Sequence, residues 1–402
     1  MSAAAAMTGA ARSNHKDSLD PAPVAPVVSA PIVASLTFVK GSAFARCVSS
    51  ADRRWTRIAR AGYPWRSPQG RTVAATADAF SGRPVRWGVI GLGKFAAEVL
   101  MPAAARSPRA EIAACATRDP QKAQEFARRF AIPRAYPDAA ALLRDDGIDA
   151  VFIAAPNAHH VPLVLAAAAA KKHVLCEKPL ALDIASGQEA VRACREAGVI
   201  LRLGLHLRFE QSLKRIGELL RSGAIGELRA LSIERSAPLD ERVPWRTDPK
   251  AGGGILYDVG VHLLDLVPRL VDAEIASVSA LASPPPASGA AAETITMLLR
   301  MKNGVQATLR VSREAPYTAS DLVAIGTEGM LRTGPLRWVD EHTIAVITAA
   351  GLKEETIPAG DLCRAELDAF AEDLADGGTR LATGEEGLRL VAVTGAVERA
   401  LR

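Results

Sequence analysis

No two cysteines stand at C-x-x-C spacing. The five cysteines, Cys47, Cys115, Cys176, Cys194 and Cys363, are scattered in mostly apolar surroundings, and their number is odd. A disulfide scaffold and a metal site therefore find no support, and packed thiols in a reducing compartment are expected. Long apolar runs are missing too. No stretch reaches the roughly 18 residues that span a bilayer, so no membrane partner is expected. Basic character is absent where it would matter. The formal charge is +5, but residues 1–83 hold 11 Lys and Arg against 4 Asp and Glu, and the remainder 38 against 40. The body thus lacks the positive face that nucleic acid requires. What is present is a chain of 402 residues, 49% hydrophobic and 23% charged, long enough for two globular domains.

Residues 1–83 show no apolar periodicity. Alanine, proline, serine and arginine dominate, and PAPVAPVVSAPIV is broken by prolines that no helix tolerates. The segment shares its Arg- and Ser-rich, acid-poor composition with transit peptides, while Arg53-Arg54 has no hydrophobic run behind it. The reading favoured is a disordered extension on a cytoplasmic protein, with export or organelle targeting through that extension as the alternative.

The texture changes at Val85. Val85, Trp87, Val89 and Ile90 supply the bulk of a short buried strand, and an apolar helical run follows Ala96. Between them Gly91, Gly93 and Ala96 form G-x-G-x-x-A. Gly91 permits a tight strand-to-helix turn, Gly93 a close approach of backbone to a pyrophosphate, and Ala96 close helix–strand packing. Strands and helices then alternate. Strands are expected at Glu111–Thr117, Ala150–Ala154, His173–Cys176 and Val199–Leu205. Helices are expected at Pro120–Phe130 (capped by Asp119), His160–Ala170 and Ile184–Ala197. Over residues 84–205 this predicts a doubly wound parallel sheet. Beyond His206, a helix at Ser212–Ser222 precedes clustered strand signals, among them two runs flanking Asn303-Gly304. Residues 206–402 therefore read as an α+β domain on an open, mostly antiparallel sheet. Two helices close it, the last behind the capping box Thr383-Gly384-Glu385-Glu386.

Ligands of a doubly wound sheet lie beyond the carboxyl ends of its strands. Ala155-Pro156-Asn157 and Glu177-Lys178-Pro179 fall there, and GGGILYDVGVHLLD in the second half carries Asp258 and His262 four residues apart, on one face of a helix. With the G-x-G-x-x-A turn, APNAHH, KKHVLCEKPLA and TGEEGLRLVAVTGAVERAL, these stretches make the chain resemble the glucose–fructose oxidoreductase / inositol dehydrogenase / rhizopine-catabolism (Gfo/Idh/MocA) family over about residues 85–402. The resemblance implies a Rossmann domain joined to an open-faced α/β domain that also mediates homo-oligomerisation. It implies an NAD(P)-dependent dehydrogenase or reductase acting on a secondary hydroxyl of a sugar, inositol or related polyol. Lys178 then matches the active-site lysine, Asp258 and His262 the acid and base, and Pro156, Asn157, Glu177 and Lys178 positions lining the cofactor. The chemistry agrees: a histidine takes the hydroxyl proton, a carboxylate orients it, and a lysine stabilises the developing alkoxide.

NAD-specific relatives end the second strand with an acid. Here Thr117 is neutral and Arg118 follows it, which favours a 2′-phosphate and hence NADP over NAD. Two alternatives stand beside this reading: a glycosidase that oxidises transiently on a retained NAD, and a non-catalytic cofactor-binding regulator.

Overall fold

The computed structural model describes residues 56–57, 80, 82–238, 243–285, 291–315, 318–334 and 341–402. In the first half, strand β1 (Thr56–Arg57) precedes β2 (Val85–Ile90), α1 (Met101–Arg106), β3 (Ala110–Ala116), α2 (Pro120–Phe130), β4 (Arg134–Tyr136) and α3 (Ala139–Leu143). β5 (Ala150–Ile153), α4 (His160–Ala169), β6 (His173–Glu177), α5 (Ile184–Ala197) and β7 (Leu201–Gly204) complete it. The second half holds α6 (Gln211–Arg221), β8 (Leu228–Ser236), α7 (Val261–Val271), β9 (Ile275–Ser283), β10 (Thr294–Met301), β11 (Gln306–Ser312) and β12 (Ala319–Gly326). It ends with β13 (Gly329–Thr333), β14 (Glu341–Thr348), β15 (Gly351–Pro358), α8 (Leu362–Asp376), β16 (Ala382–Thr383) and α9 (Gly384–Leu401).

Two sheets organise these elements. The first runs β16-β7-β6-β5-β2-β3-β4, parallel throughout except for β16. Its order reverses at β2, which places the switch-point crevice between the ends of β2 and β5. β5 and β6 are buried at every position, as a sheet covered on both faces demands. The second runs β1-β9-β10-β11-β8-β12-β13-β14-β15, antiparallel except where β11 meets β8. In β10 and β11 buried and exposed residues alternate, so one face packs inward and the other faces out. The fold class is thus the expected one: a doubly wound parallel sheet plus a mostly antiparallel one.

Local sequence explains the element ends. Asp119 caps α2 by accepting from the backbone N–H of Gln121 and Lys122, and Pro120 takes the first helical position. Asp183 caps α5, and Gly198 ends it at φ 72°. The Thr383–Glu386 capping box forms as expected. Besides β1, three strands go unannounced by their sequences. β4 has three residues, β15 is exposed along most of its length, and β16 has only two residues.

The chain also returns on itself. α8 packs on the first sheet, with Phe370 against Trp87 at 4.7 Å between ring centroids, and β16 extends that sheet. A single cut at 205/206 therefore leaves residues 362–383 on the wrong side. At the other end, most of the extension over 1–83 lies outside the described residues. Within it, Thr56 and Arg57 pair antiparallel with Val278 and Ser277. Phe80 is buried edge-on against His173, and Arg83 pairs with Asp149 at 2.7 Å, so the ordered body begins before residue 84. No described helix is long and apolar enough to cross a membrane.

Candidate active site

The site begins at the turn after β2. Gly91 has φ 99°, and a β-carbon on it would stand 2.5 Å from the carbonyl oxygen of Ala154 at the end of β5. Only glycine lets the backbone pass there. At Gly93 nothing lies within 4 Å of the place a β-carbon would take. Ala96 is fully buried and opens a π-helical turn, Ala96–Leu100, that runs into α1. Open space over the unpaired N–H groups of a helix start fits a dinucleotide pyrophosphate.

β3 ends beside this turn. Thr117 is half-buried and Arg118 exposed, and Arg118 makes no hydrogen bond or ion pair with the described residues. The neighbouring acid, Asp119, is occupied by its cap at 3.0 and 3.2 Å. Arg118 is thus an exposed cation at the strand end.

Past β5, Pro156 is half-buried and Asn157 buried. The Asn157 amide donates to the main-chain oxygen of Gly252 at 2.8 Å, so this loop is tied to the GGG segment of the second half. The His160 ring bridges the same loop to the next, 2.9 Å from the oxygen of Ala155 and 2.6 Å from that of Pro179.

β6 delivers Glu177 and Lys178. Lys178 Nζ donates to the main-chain oxygen of Asp258 at 2.7 Å and stands 3.7 Å from the Asp258 carboxylate. Arg246 approaches the other carboxylate oxygen at 3.5 Å. Asp258 belongs to a second π-helical turn, Leu256–Gly260, which feeds α7 and His262. His262 is buried with its ring 4.8 Å from that of His206, and its Nδ1 has no hydrogen-bond partner among the described residues. Burial, then the charges of Lys178, His206 and Arg235, hold His262 well below the usual histidine range. Burial and the charges of Arg235 and Lys178 bring His206 down to about 3. Both imidazoles are neutral at pH 7.

One expectation is corrected. The four-residue spacing predicts that Asp258 orients His262, yet the carboxylate turns to Lys178 and Arg246 and makes no hydrogen bond to the imidazole. Glu177 also points away from the turn. Its carboxyl packs over Gly204, where a β-carbon would stand 2.9 Å from Oε1, and burial pushes it up to about 7. Glu366 of α8 is fully buried, and burial together with Glu177 raises it well above the carboxylate range. Arg208 is bound to Asp265 and Glu386, which makes it a brace between α7 and α9.

Lys178, Asp258 and His262 thus converge at the carboxyl end of β6. Sequence reasoning missed Arg246 and assigned no role to His206. Arg235 carried no signal.

Comparison with known proteins places this geometry in context. Residues 85–205 match the family described as "Oxidoreductase family, NAD-binding Rossmann fold", and residues 213–332 match the GFO/IDH/MocA C-terminal domain. D-xylose 1-dehydrogenase (NADP(+)) 2 of Haloferax volcanii is 31% identical, covering 77% of this chain and 95% of its own. A 3-ketoreductase from Actinomadura kijaniata, solved with NADP and TDP-benzene, superposes with a TM-score of 0.71 at 26% identity, over 79% of this chain and 98% of its own. An oxidoreductase from Agrobacterium radiobacter, solved with NAD+, L-tartaric acid and magnesium, gives a TM-score of 0.69 at 26% identity, over 79% and 96%.

Proposed function

This chain belongs to the Gfo/Idh/MocA oxidoreductase family and is an NAD(P)-dependent enzyme of it, and we propose that it moves a hydride between a secondary hydroxyl of a sugar, inositol or related polyol and the nicotinamide, with NADP preferred to NAD. The observation that carries this reading is the meeting of Lys178 and Asp258 at the end of β6, with His262 buried one helical turn on. A bound dinucleotide supplies the hydride acceptor, and the chain's own residues handle the proton and the oxygen. His262, kept neutral by burial and by surrounding cations, has a free lone pair for the hydroxyl proton. Lys178 donates to the substrate oxygen and steadies the charge that develops on it. The main-chain oxygen and carboxylate of Asp258 fix where that ammonium stands.

The cofactor side of the proposal rests on Gly91, Gly93 and Ala96 for the pyrophosphate and on Thr117 and Arg118 for the adenosine ribose. Pro156, Asn157 and Glu177 shape the nicotinamide end, Asn157 and Glu177 through the loops they hold. The outer face of the second sheet exposes Leu281, Leu298 and Ile325, which fits an interface with a second copy of this chain. Light scattering on the purified protein reads that state directly. The central test is a screen of sugars and polyols with both dinucleotides, following absorbance of the reduced cofactor. Turnover of an alcohol is expected. Dinucleotide binding without turnover of any alcohol in either direction would overturn the reading.

A further inference from the structure

A cavity of about 720 Å³ lies between Val99 and Pro102 of the first half and the helix-covered face of the second sheet. Most of its wall is apolar. Glu98, Arg106 and Asp361 add charge from the helices and a loop, and the sheet adds polar groups whose place its register explains. On β8 the inward positions Leu231 and Ile233 are buried, and the next inward position is Arg235. Ser320 of β12 pairs directly opposite Arg235. His342, on the same inward alternation as Ile344 in β14, completes the polar set.

These groups lack the partners that interiors demand. Arg235 makes no hydrogen bond or ion pair with the described residues, although Asp258 and Glu210 attract its charge from farther off. Neither ring nitrogen of His342 has a hydrogen-bond partner there, and its side chain is 2% exposed. Glu210 approaches His342 Nε2 no closer than 3.7 Å and accepts from the N–H and hydroxyl of Ser212. Arg235 is half-buried at the cavity wall, and a planar two-oxygen anion answers such a guanidinium with parallel hydrogen bonds. Leu207 and Leu263, next in sequence to His206 and His262, line the same cavity, so an anion held at Arg235 lies beside the candidate catalytic residues.

We propose that Arg235, with Ser320 and His342 beside it, binds a carboxylate of the substrate, so that the alcohol oxidised belongs to a sugar acid rather than a neutral sugar. The inference deepens the hydride-transfer reading and rests on it for the word substrate. The cavity's own acids, Glu210 among them, favour a ligand with one anionic end and many hydroxyls over a polyanion.

The test uses the full chain loaded with NADP or NAD and a panel of aldonic, uronic and aldaric acids, each beside its neutral counterpart and a sugar phosphate. At least one acid should exceed its counterpart in kcat/KM by ~10- to 100-fold, the range of a charge-assisted pair. Arg235→Met should remove that preference mainly through KM, and Arg235→Lys should keep part of it. Dinucleotide affinity, measured alongside, reports that each variant is folded. Calorimetric binding of the same acids separates this inference from the redox reading. If no alcohol turns over, acid binding that is lost in Arg235→Met still supports the carboxylate site. Equal use of acids and neutral sugars, a preference for the phosphate, or an Arg235→Met loss that falls on the dinucleotide would each overturn it.

Discussion

Lys178 and Asp258, 80 residues apart, meet chiefly through the backbone: the ammonium donates to the main-chain oxygen at 2.7 Å and stands 3.7 Å from the carboxylate. The lysine is therefore aimed by the path of the π-helical turn as much as by charge, and that distinguishes the variants at these positions.

Lys178→Ala and His262→Ala should each lower turnover by ~100- to 10,000-fold, the usual worth of acid–base assistance, with dinucleotide affinity little changed. Asp258→Asn should fall less than either, because the main-chain acceptor survives. Single-turnover rates paired with dinucleotide titrations check this, and near-wild-type rates in both alanine variants would remove the mechanism.

The pH profile follows from the sign of the His262 shift. Its folded pKa lies below 6.5, so the neutral base persists at neutral pH and is lost only as pH falls beneath the ordinary histidine range. Oxidation should be flat from neutral to mildly alkaline pH, with the acid limb below 6.5. Arg235→Met removes one of the depressing charges and should move that limb upward. A wild-type limb at or above the ordinary value would contradict the site's electrostatics.

The proposed NADP preference rests on Arg118, whose neighbour Asp119 caps α2. NADP should bind more tightly than NAD, and Arg118→Ala should weaken NADP by ~10-fold or more while sparing NAD. Fluorescence titration of the reduced dinucleotides decides it, and an equal loss for both would reverse the assignment.

Two glycines of the turn should separate binding from folding. A methyl at Gly93 enters open space, so Gly93→Ala should leave Tm in place and weaken dinucleotide binding. Gly91→Ala meets the Ala154 carbonyl at a positive φ and should lower Tm as well. Thermal melts with and without dinucleotide distinguish the two, and a lowered Tm in Gly93→Ala would mean that the space is not a ligand's.

The N-terminal boundary is also open to measurement. A chain starting at Ala79 keeps Phe80 on His173 and Arg83 on Asp149 and loses only the two-residue pairing of β1 with β9, so its Tm should stay close to that of full length. One starting at Val85 loses both contacts and should be less stable by ~2 kcal/mol, about the burial of one aromatic side chain. Denaturant melts of the two chains compare directly, and equal stability would place the boundary later.

Much of the fold was legible because local chemistry and tertiary structure agreed. Asp119-Pro120 supplies a cap and a first helical residue, and AVFIA has the length and apolar character of a strand buried on both faces. β15 and β16 were not legible, since an exposed edge strand needs no apolar alternation and a two-residue strand carries no pattern. The candidate residues were legible as motifs, but their partners were not. The spacing of Asp258 and His262 is a helical regularity, and the π-helical turn between them overrides it. Arg235 sits at an inward position of β8 that reads as a core residue, and only the register against Ser320 gives it a neighbour and a cavity.

The return of α8 and β16 sets an order on how this protein comes into being. The first sheet is made early, yet the cover over Trp87 and the last strand beside β7 leave the ribosome only near the end of synthesis. The nascent nucleotide-binding half waits with an apolar face and a strand edge open to water, the condition under which chaperones engage a chain. A chain that stops before α8 lacks both that cover and that strand, and leaves Trp87 and the edge of β7 without them.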